Sequence, residues 1–212
     1  MYALIYKLVA FTIRLICRIN GGLIVKGKEN IPAEGGVIVA ANHISYLDPP
    51  ILGSVTPRRA TFMARKGLFN IPVLGWMIKE AAFPVDRERT RPSTIKETVR
   101  RLRKGELIAI FPEGRRSETG EFLKAKRGVG MIMSLSRAPV VPTLIIGSDK
   151  ALPVDAKWLK RAKISVVFGK PIYYTSIEEG KGSGEHLQHE AISEKVMDAV
   201  KELKRQYADN SG

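Results

Sequence analysis

The sequence is poor in the residues on which several common kinds of site depend. Cys17 is the only cysteine, so the chain cannot form an internal disulfide, which is compatible with a reducing compartment. Only three histidines and one cysteine are present, and no cysteine or third histidine lies near His186 and His189 in the sequence. No Walker-type loop, no GxGxxG segment and no internal repeat is present. We therefore expect neither a metal nor a cofactor.

Aromatic and acidic residues are also scarce. With 35 Lys and Arg against 21 Asp and Glu, the net charge is +14, which indicates an acidic partner: nucleic acid, an anionic membrane or a phosphorylated substrate. Residues 58–127 carry most of this excess, with 18 basic and 8 acidic residues. Only 7% of the chain is aromatic, and the strongest cluster, Phe69 with Trp76, lies among Leu and Ile, which argues against base stacking. We expect no nucleic-acid partner.

Long uncharged apolar runs are absent too, and a mean hydropathy of −0.07 excludes a protein with many membrane spans. Met1 to Ile19 is apolar, with cations at Lys7, Arg14 and Arg18. On a helix these three fall within about 40° of one another and leave a broad apolar face, the pattern of an interfacial helix. The alternative is a helix that docks on the domain. No small-x-small cleavage site follows, so a signal peptide is not expected.

The remainder predicts an α/β fold: a largely parallel central sheet flanked by helices. Short apolar runs predict strands over Leu23–Val25, Val37–Ala41, Thr61–Ala64, Ala81–Val85, Glu106–Phe111, Val140–Ile146 and Ile164–Phe168. Helices are predicted over Pro50–Val55, from Pro92 with a capping box at Thr94–Glu97, over Lys126–Leu135 and over Glu185–Tyr207. We predict two parts, the helix of residues 1–19 and a single domain of residues 20–212.

Two other segments allow more than one interpretation. Lys66 to Met77 is apolar but interrupted by Gly and Pro, so it could be core, could line a slot for an acyl chain or could dip into lipid. His186 and His189 lie one helical turn apart, as metal ligands can, but without a further ligand nearby we interpret them as a solvated pair with no role. A charged, glycine-rich linker is predicted over Glu178–Gly184.

A candidate catalytic pair follows the second predicted strand. Val37–Ala41 leads directly into Asn42 and His43, and Asp48 comes five residues after the histidine. Histidine titrates near neutrality and can take a proton from a substrate hydroxyl. The turn before Pro49–Pro50 could return the carboxylate to the imidazole and fix its tautomer. A single match of this kind is weak when taken alone.

Further motifs make the pattern specific. Phe83-Pro84-Val85-Asp86-Arg87, Phe111-Pro112-Glu113-Gly114-Arg115-Arg116-Ser117 and Val141-Pro142-Thr143 follow the His-x4-Asp pair in order. Over roughly residues 20–170 the chain resembles the glycerolipid acyltransferases, and most closely the bacterial 1-acyl-glycerol-3-phosphate acyltransferases. Two positions depart from the usual family pattern: Arg115 replaces a threonine, and Thr143 replaces a small apolar residue.

The resemblance implies a reaction and its residues. It implies transfer of an acyl group from acyl-CoA or acyl carrier protein to lysophosphatidic acid, giving phosphatidic acid, with His43 as base and Asp48 as its orienter. It also implies acceptor phosphate binding by Arg116, with Lys66 and Arg87 as weaker candidates and Arg115 as a supplement. From the residues, Glu113 could orient these cations or bind the glycerol, and a backbone N–H near Gly114 could stabilise the oxyanion.

The expected location is the cytoplasmic face of the cell membrane, as a peripheral or monotopic protein attached to an anionic surface. Two rival functions stay open from sequence. The nearer keeps the chemistry but uses glycerol-3-phosphate or another lysolipid as acceptor. The farther is a basic membrane- or nucleic-acid-binding protein without catalysis, which explains the charge but not the motifs.

Overall fold

The computed structural model describes residues 2–79, 81–85, 92–176 and 185–209. Within these ranges a seven-stranded sheet is built from β1 to β7, which span Leu23–Lys26, Val37–Ala41, Ala60–Arg65, Ala82–Val85, Leu107–Ile110, Val140–Ile146 and Ile164–Phe168. The helices α1 to α7 span Tyr2–Ile19, Asp48–Val55, Pro72–Ile78, Pro92–Arg103, Gly128–Ser136, Ser148–Ala151 and Glu185–Asp209. Each predicted strand and helix is therefore confirmed, with ends displaced by at most two residues.

The sheet order is β1-β7-β6-β2-β5-β3-β4, and every neighbouring pair is parallel except β6 with β7, which is antiparallel. The prediction of a largely parallel sheet flanked by helices is confirmed. The strand β2 lies at the centre between β5 and β6, and its five residues are all buried. In parallel sheets buried on both faces such continuous apolar runs are expected. The loops after β2 and β5 therefore leave the same edge side by side, and both carry predicted site motifs.

Alternate side chains of β2 point into two apolar layers. Val37, Val39 and Ala41 pack with α2 and part of α1, whereas Ile38 and Ala40 pack with α4, α5 and α7. The predicted stripe of α4, formed by Ile95, Val99 and Leu102, is buried in the second layer. The sheet is thus covered on both faces, so the loops after its strands can be reached only from the edge of the sheet.

Some local predictions need correction. The helix α4 begins at Pro92, so Thr94 lies inside it rather than capping it, and Glu97 binds Arg100 and Arg101 instead of closing a capping box. Lys66–Asn70 forms a 3₁₀ helix and is followed by α3, which the Gly and Pro residues of the segment had obscured.

The C-terminal helix α7 also differs from expectation. His189 is 4% exposed rather than solvated, because α7 packs against α5 and β6. The side chain of its predicted companion His186 and the predicted linker over residues 178–184 lie outside the described residues.

The helix α1 packs one face on α2 and leaves another open. The hydroxyl of Tyr6 donates to the Gly53 carbonyl at 2.8 Å and accepts from the Ala60 N–H at 3.2 Å. Lys7, Arg14 and Arg18 lie on one side of this helix, but only Lys7 and Arg18 are exposed, because half-buried Arg14 donates to the Ser54 carbonyl. The exposed face still carries large apolar residues, namely Leu4, Leu8, Phe11, Leu15, Ile16 and Ile19. The contacts with α2 agree with the interpretation of a helix docked on the domain, and the interfacial interpretation stays a prediction.

Among the described residues, no helix combines the length and the apolar character needed to cross a bilayer.

A glycine pair ends α1. Gly21 has a φ of 144°, and a Cβ there would lie 2.5 Å from the carbonyl oxygen of Ala162, so the chain turns closely past the segment before β7.

Candidate active site

The end of β2 is held to β6 by a side chain. Asn42 Nδ2 donates to the Ile145 carbonyl at 2.9 Å, and Asn42 Oδ1 accepts from the Ile145 N–H at 2.7 Å. Asn42 is 3% exposed, so this pair replaces the strand hydrogen bonds where β2 ends. The loop that follows therefore begins from a fixed position, and the next residue is His43.

His43 and Asp48 are in direct contact. His43 Nδ1 lies 2.8 Å from Asp48 Oδ2, and the same oxygen accepts the backbone N–H groups of Ile44 and Ser45, each at 2.7 Å. Asp48 is the first residue of α2 and is fully buried. The predicted return of the carboxylate to the imidazole is observed. Phe111 stacks on the imidazole with ring centroids 4.2 Å apart, which fixes the plane of the ring.

Ser148 completes the hydrogen bonds of the carboxylate and was missed in the sequence. Its Oγ donates to Asp48 Oδ1 at 2.6 Å, and both residues are fully buried. The two lie 100 positions apart and meet because β6, which precedes Ser148, pairs with β2. Asp48 thus accepts from Ile44, Ser45 and Ser148 and contacts His43 Nδ1, so both of its buried oxygens have hydrogen-bond partners.

Glu113 lies on the other side of the His43 loop. It is 2% exposed, and its Oε2 accepts the His43 N–H at 3.4 Å, while the Ser117 N–H donates to the His43 carbonyl at 2.8 Å. Burial raises the pKa of Glu113 to about 7, despite backbone hydrogen bonds from His43 and Leu123 that favour its charged form. Its Oε1 is buried without a hydrogen-bond partner among the described residues. Glu113 therefore combines a structural contact with an unused acceptor.

An apolar cavity of about 800 Å³ opens beside His43. Its walls come from α1, α2, α3, α4, α5, β3, β4, β5, the 3₁₀ helix and the segment after β5. They include Tyr6, Val9, Phe62, Leu68, Trp76, Ile95, Phe111 and Ile132. Leu68 and Trp76 belong to the segment for which three sequence interpretations stood open. They line the cavity and are also exposed, so both the slot and the lipid interpretation stay predictions. A cavity of this size and character matches the sites that bind extended apolar ligands.

The predicted cations do not all lie at this cavity. Arg116 places its guanidinium 4.1 Å from the ring centroid of Tyr46, which itself lines the cavity. Arg115 and Lys66 are exposed, and neither is part of the described cavity wall, whereas Arg65, next to Lys66, is. Arg87 lies outside the described residues.

Gly114 and Lys126 form a close contact that the sequence did not reveal. Gly114 has a φ of 70°, and a Cβ there would lie 2.8 Å from Lys126 Cδ, so glycine lets the lysine cross the backbone at the cavity. The N–H of Gly114 donates to the Phe111 carbonyl at 3.0 Å. The oxyanion donor expected near Gly114 is thus not this N–H. Lys126 instead adds a cation to the cavity wall.

The fold and the His43–Asp48 pair place this chain in a known class of protein. The chain belongs to the Acyltransferase family, whose family model matches residues 22–146. It is 35% identical to a 1-acyl-sn-glycerol-3-phosphate acyltransferase of Bacillus subtilis, an alignment that covers 93% of this chain and 96% of the relative. It is 30% identical to the enzyme of that name from Streptococcus pneumoniae, over 80% of this chain and 63% of the relative.

A solved structure agrees with these relatives. The crystal structure of a 1-acyl-sn-glycerophosphate acyltransferase from Thermotoga maritima superposes with a TM-score of 0.71 at 27% identity, covering 94% of this chain and 82% of that one. The resemblance to glycerolipid acyltransferases is therefore confirmed, as is the fold.

Proposed function

We propose that this protein transfers an acyl group from an acyl thioester to the free 2-hydroxyl of 1-acyl-glycerol-3-phosphate, giving phosphatidic acid. The observation that carries the proposal is the buried His43–Asp48 pair at the wall of an apolar cavity, in a chain of the Acyltransferase family. The names of the similar proteins support this acceptor.

The hydrogen bonds of Asp48 support one tautomer of His43. An ionised carboxylate can only accept, so His43 Nδ1 carries the proton that points to Asp48 Oδ2. The lone pair of the neutral ring is then on Nε2, the nitrogen that Asp48 does not contact. His43 lines the cavity, so Nε2 is the atom available to a substrate hydroxyl.

The proposed reaction needs no covalent enzyme intermediate. The 2-hydroxyl oxygen attacks the thioester carbonyl carbon as Nε2 takes its proton, and the carbonyl oxygen becomes an oxyanion. The C–S bond then breaks, the carbonyl re-forms as an ester, and the proton passes from Nε2 to the departing thiolate. General base assistance of this kind contributes about 10²- to 10⁴-fold in rate. Asp48 stabilises the imidazolium that forms in between.

The cations at the catalytic edge would hold the acceptor phosphate. Arg116 offers a planar pair of donors and is held by Tyr46 beside the cavity, and Lys126 and Arg65 line the wall itself. Lys66, Arg115 and Arg87 are retained as weaker candidates. Glu113 would position the His43 loop through its backbone contact, and its free Oε1 would accept a glycerol hydroxyl.

The net charge and the cavity support the proposed donor and location. The apolar walls would take the acyl chain, and a chain of net charge +14 suits either acidic carrier, coenzyme A or acyl carrier protein. In this proposal α1 is the interfacial element of a catalytic domain formed by residues 20–212, at the cytoplasmic face of the cell membrane. The exposed apolar residues of α1 support that placement.

A panel of acceptors tests the proposal. Purified protein is incubated with labelled acyl-CoA or acyl carrier protein thioester and, in turn, 1-acyl-glycerol-3-phosphate, glycerol-3-phosphate and an uncharged lysolipid. We expect labelled phosphatidic acid as the main product. If glycerol-3-phosphate is acylated faster than 1-acyl-glycerol-3-phosphate, the proposed acceptor is wrong. If no acceptor is acylated, the proposed function is wrong.

A further inference from the structure

The segment before β7 presents an unusual surface. Residues 153–163 connect α6 to β7, and Trp158 in this segment is 83% exposed. Val154 and Leu159 are exposed beside it. Tryptophan is costly to leave in water because of its large apolar area, but it is favoured at a membrane interface, where its ring lies at the level of the lipid headgroups.

Cations are close to this tryptophan in the sequence. Lys157, Lys160, Arg161 and Lys163 are all exposed, and the segment contains one acidic residue, Asp155. Within the described part of the chain, none of the four cations forms a salt bridge. Long basic side chains can lay their stems along an apolar surface while their charged ends reach phosphate.

The segment is attached to the C-terminal end of α1. Asn20 Nδ2 donates to the Lys160 carbonyl at 2.7 Å, and the Ala162 N–H donates to the Asn20 carbonyl at 3.0 Å. Trp158 is therefore two residues in sequence from Lys160, which contacts Asn20, the residue that follows α1. The segment is thus a second element with exposed apolar residues, held at the end of a helix whose outer face exposes six large apolar side chains.

We propose that residues 153–163 and the outer face of α1 form one surface that binds an anionic lipid bilayer, with Trp158 inserted between headgroups and the four cations paired with lipid phosphates. This rests on the proposed function only in that the acceptor is a lipid. A second copy of the chain fits less well, because a symmetric contact would bring the same four cations together in a chain already at +14.

The aromatic arm of the test uses the full chain and sedimentation with vesicles of phosphatidylcholine containing one quarter phosphatidylglycerol. Trp158→Ala should weaken partition at least about tenfold, the loss expected when one large apolar side chain no longer leaves water. Leu187→Ala, at an exposed apolar position on α7, is the matched control and should bind like the parent. Equal binding by the parent and Trp158→Ala would overturn the proposal.

The charge arm compares two double variants with the same change in net charge. Lys157→Glu with Arg161→Glu should reduce partition by about 30-fold or more, since each cation near an anionic surface contributes about fivefold. Lys28→Glu with Lys170→Glu changes two exposed cations elsewhere and should reduce it much less. Equal losses of vesicle binding in the two double variants would show a general effect of net charge and would overturn the proposed surface.

Activity separates this inference from the proposed function. Trp158→Ala should retain the parent rate on dispersed short-chain acceptor and lose rate on acceptor embedded in vesicles. If the parent acylates nothing while Trp158→Ala still loses vesicle binding, the surface stands and the function fails. If sedimentation velocity instead shows a dimer that Trp158→Ala dissociates, with no change in vesicle binding, the occupant is a second copy and the bilayer proposal is wrong.

Discussion

Replacing Asp48 by asparagine isolates the charge of this residue from its geometry. Three donors converge on Asp48 Oδ2, namely His43 Nδ1 and the N–H groups of Ile44 and Ser45. Two backbone donors require an acceptor there, so the amide oxygen of the introduced asparagine should keep this position. The amide nitrogen then faces Ser148 Oγ, which can accept as well as donate. The variant should fold and should keep the His43 tautomer.

The magnitude follows from this arrangement. If only the charge is lost, the imidazolium loses a charge-assisted hydrogen bond of about 1.5 to 3 kcal/mol, which is roughly 10- to 150-fold in rate. If the amide instead turned its nitrogen to His43, the tautomer would be wrong and the loss would approach about 10⁴-fold, as in serine protease triads. The two backbone donors predict the smaller loss.

Steady-state kinetics with 1-acyl-glycerol-3-phosphate and acyl-CoA measures the effect on kcat. Ser148→Ala is the matched control, because it leaves Asp48 charged and removes one buried hydrogen bond. It should lower the free energy of unfolding by about 1 to 3 kcal/mol and reduce kcat less than Asp48→Asn does. An Asp48→Asn enzyme within about threefold of the parent would refute the role of the carboxylate, and a loss near 10⁴-fold would refute the tautomer argument.

Other predictions concern Glu113, Arg116 and the docking of α1. Because burial raises the pKa of Glu113 from 4.5 to about 7, its contribution to stability falls as pH rises through this window, by up to about 3 kcal/mol. In urea unfolding, the free energy of unfolding of Glu113→Gln relative to that of the parent should therefore increase between these pH values. A difference between the two proteins that does not change with pH would contradict this. Arg116→Ala should raise the acceptor KM about 10- to 150-fold without raising the thioester KM, whereas Arg115→Thr should change little; the reverse order would exchange their roles. Tyr6→Phe removes two hydrogen bonds and should cost about 1 to 2 kcal/mol of unfolding free energy, and no change would mean that α1 is not docked in solution.

Much of the architecture could be predicted because β-strand burial leaves a direct trace in sequence. Val37–Ala41 is apolar at every position since both faces of the central strand are covered. The proximity of His43 to Asp48 was also predictable, since only a short turn separates them. The 3₁₀ helix and α3 were harder, because Gly and Pro interrupt the apolar pattern there.

The rest of the site depends on contacts between distant segments. Ser148 reaches Asp48, and Asn42 reaches Ile145, only because β6 pairs with β2, and strand order is not encoded in local periodicity. Lys126 meets Gly114 after a loop without regular structure. The contact of Arg14 with Ser54 could not be predicted either, because a helical projection gives an angle for a side chain but not the neighbour that binds it.

The central claim is that His43 acts as the general base of an acyl transfer. The most direct measurement is the initial rate of phosphatidic acid formation from 1-acyl-glycerol-3-phosphate and acyl-CoA by the parent and by His43→Ala, with circular dichroism to confirm that both are folded. We predict product with the parent and an initial rate that is lower by about 10²- to 10⁴-fold in the variant. A folded His43→Ala enzyme that forms phosphatidic acid at a rate near that of the parent would contradict the account.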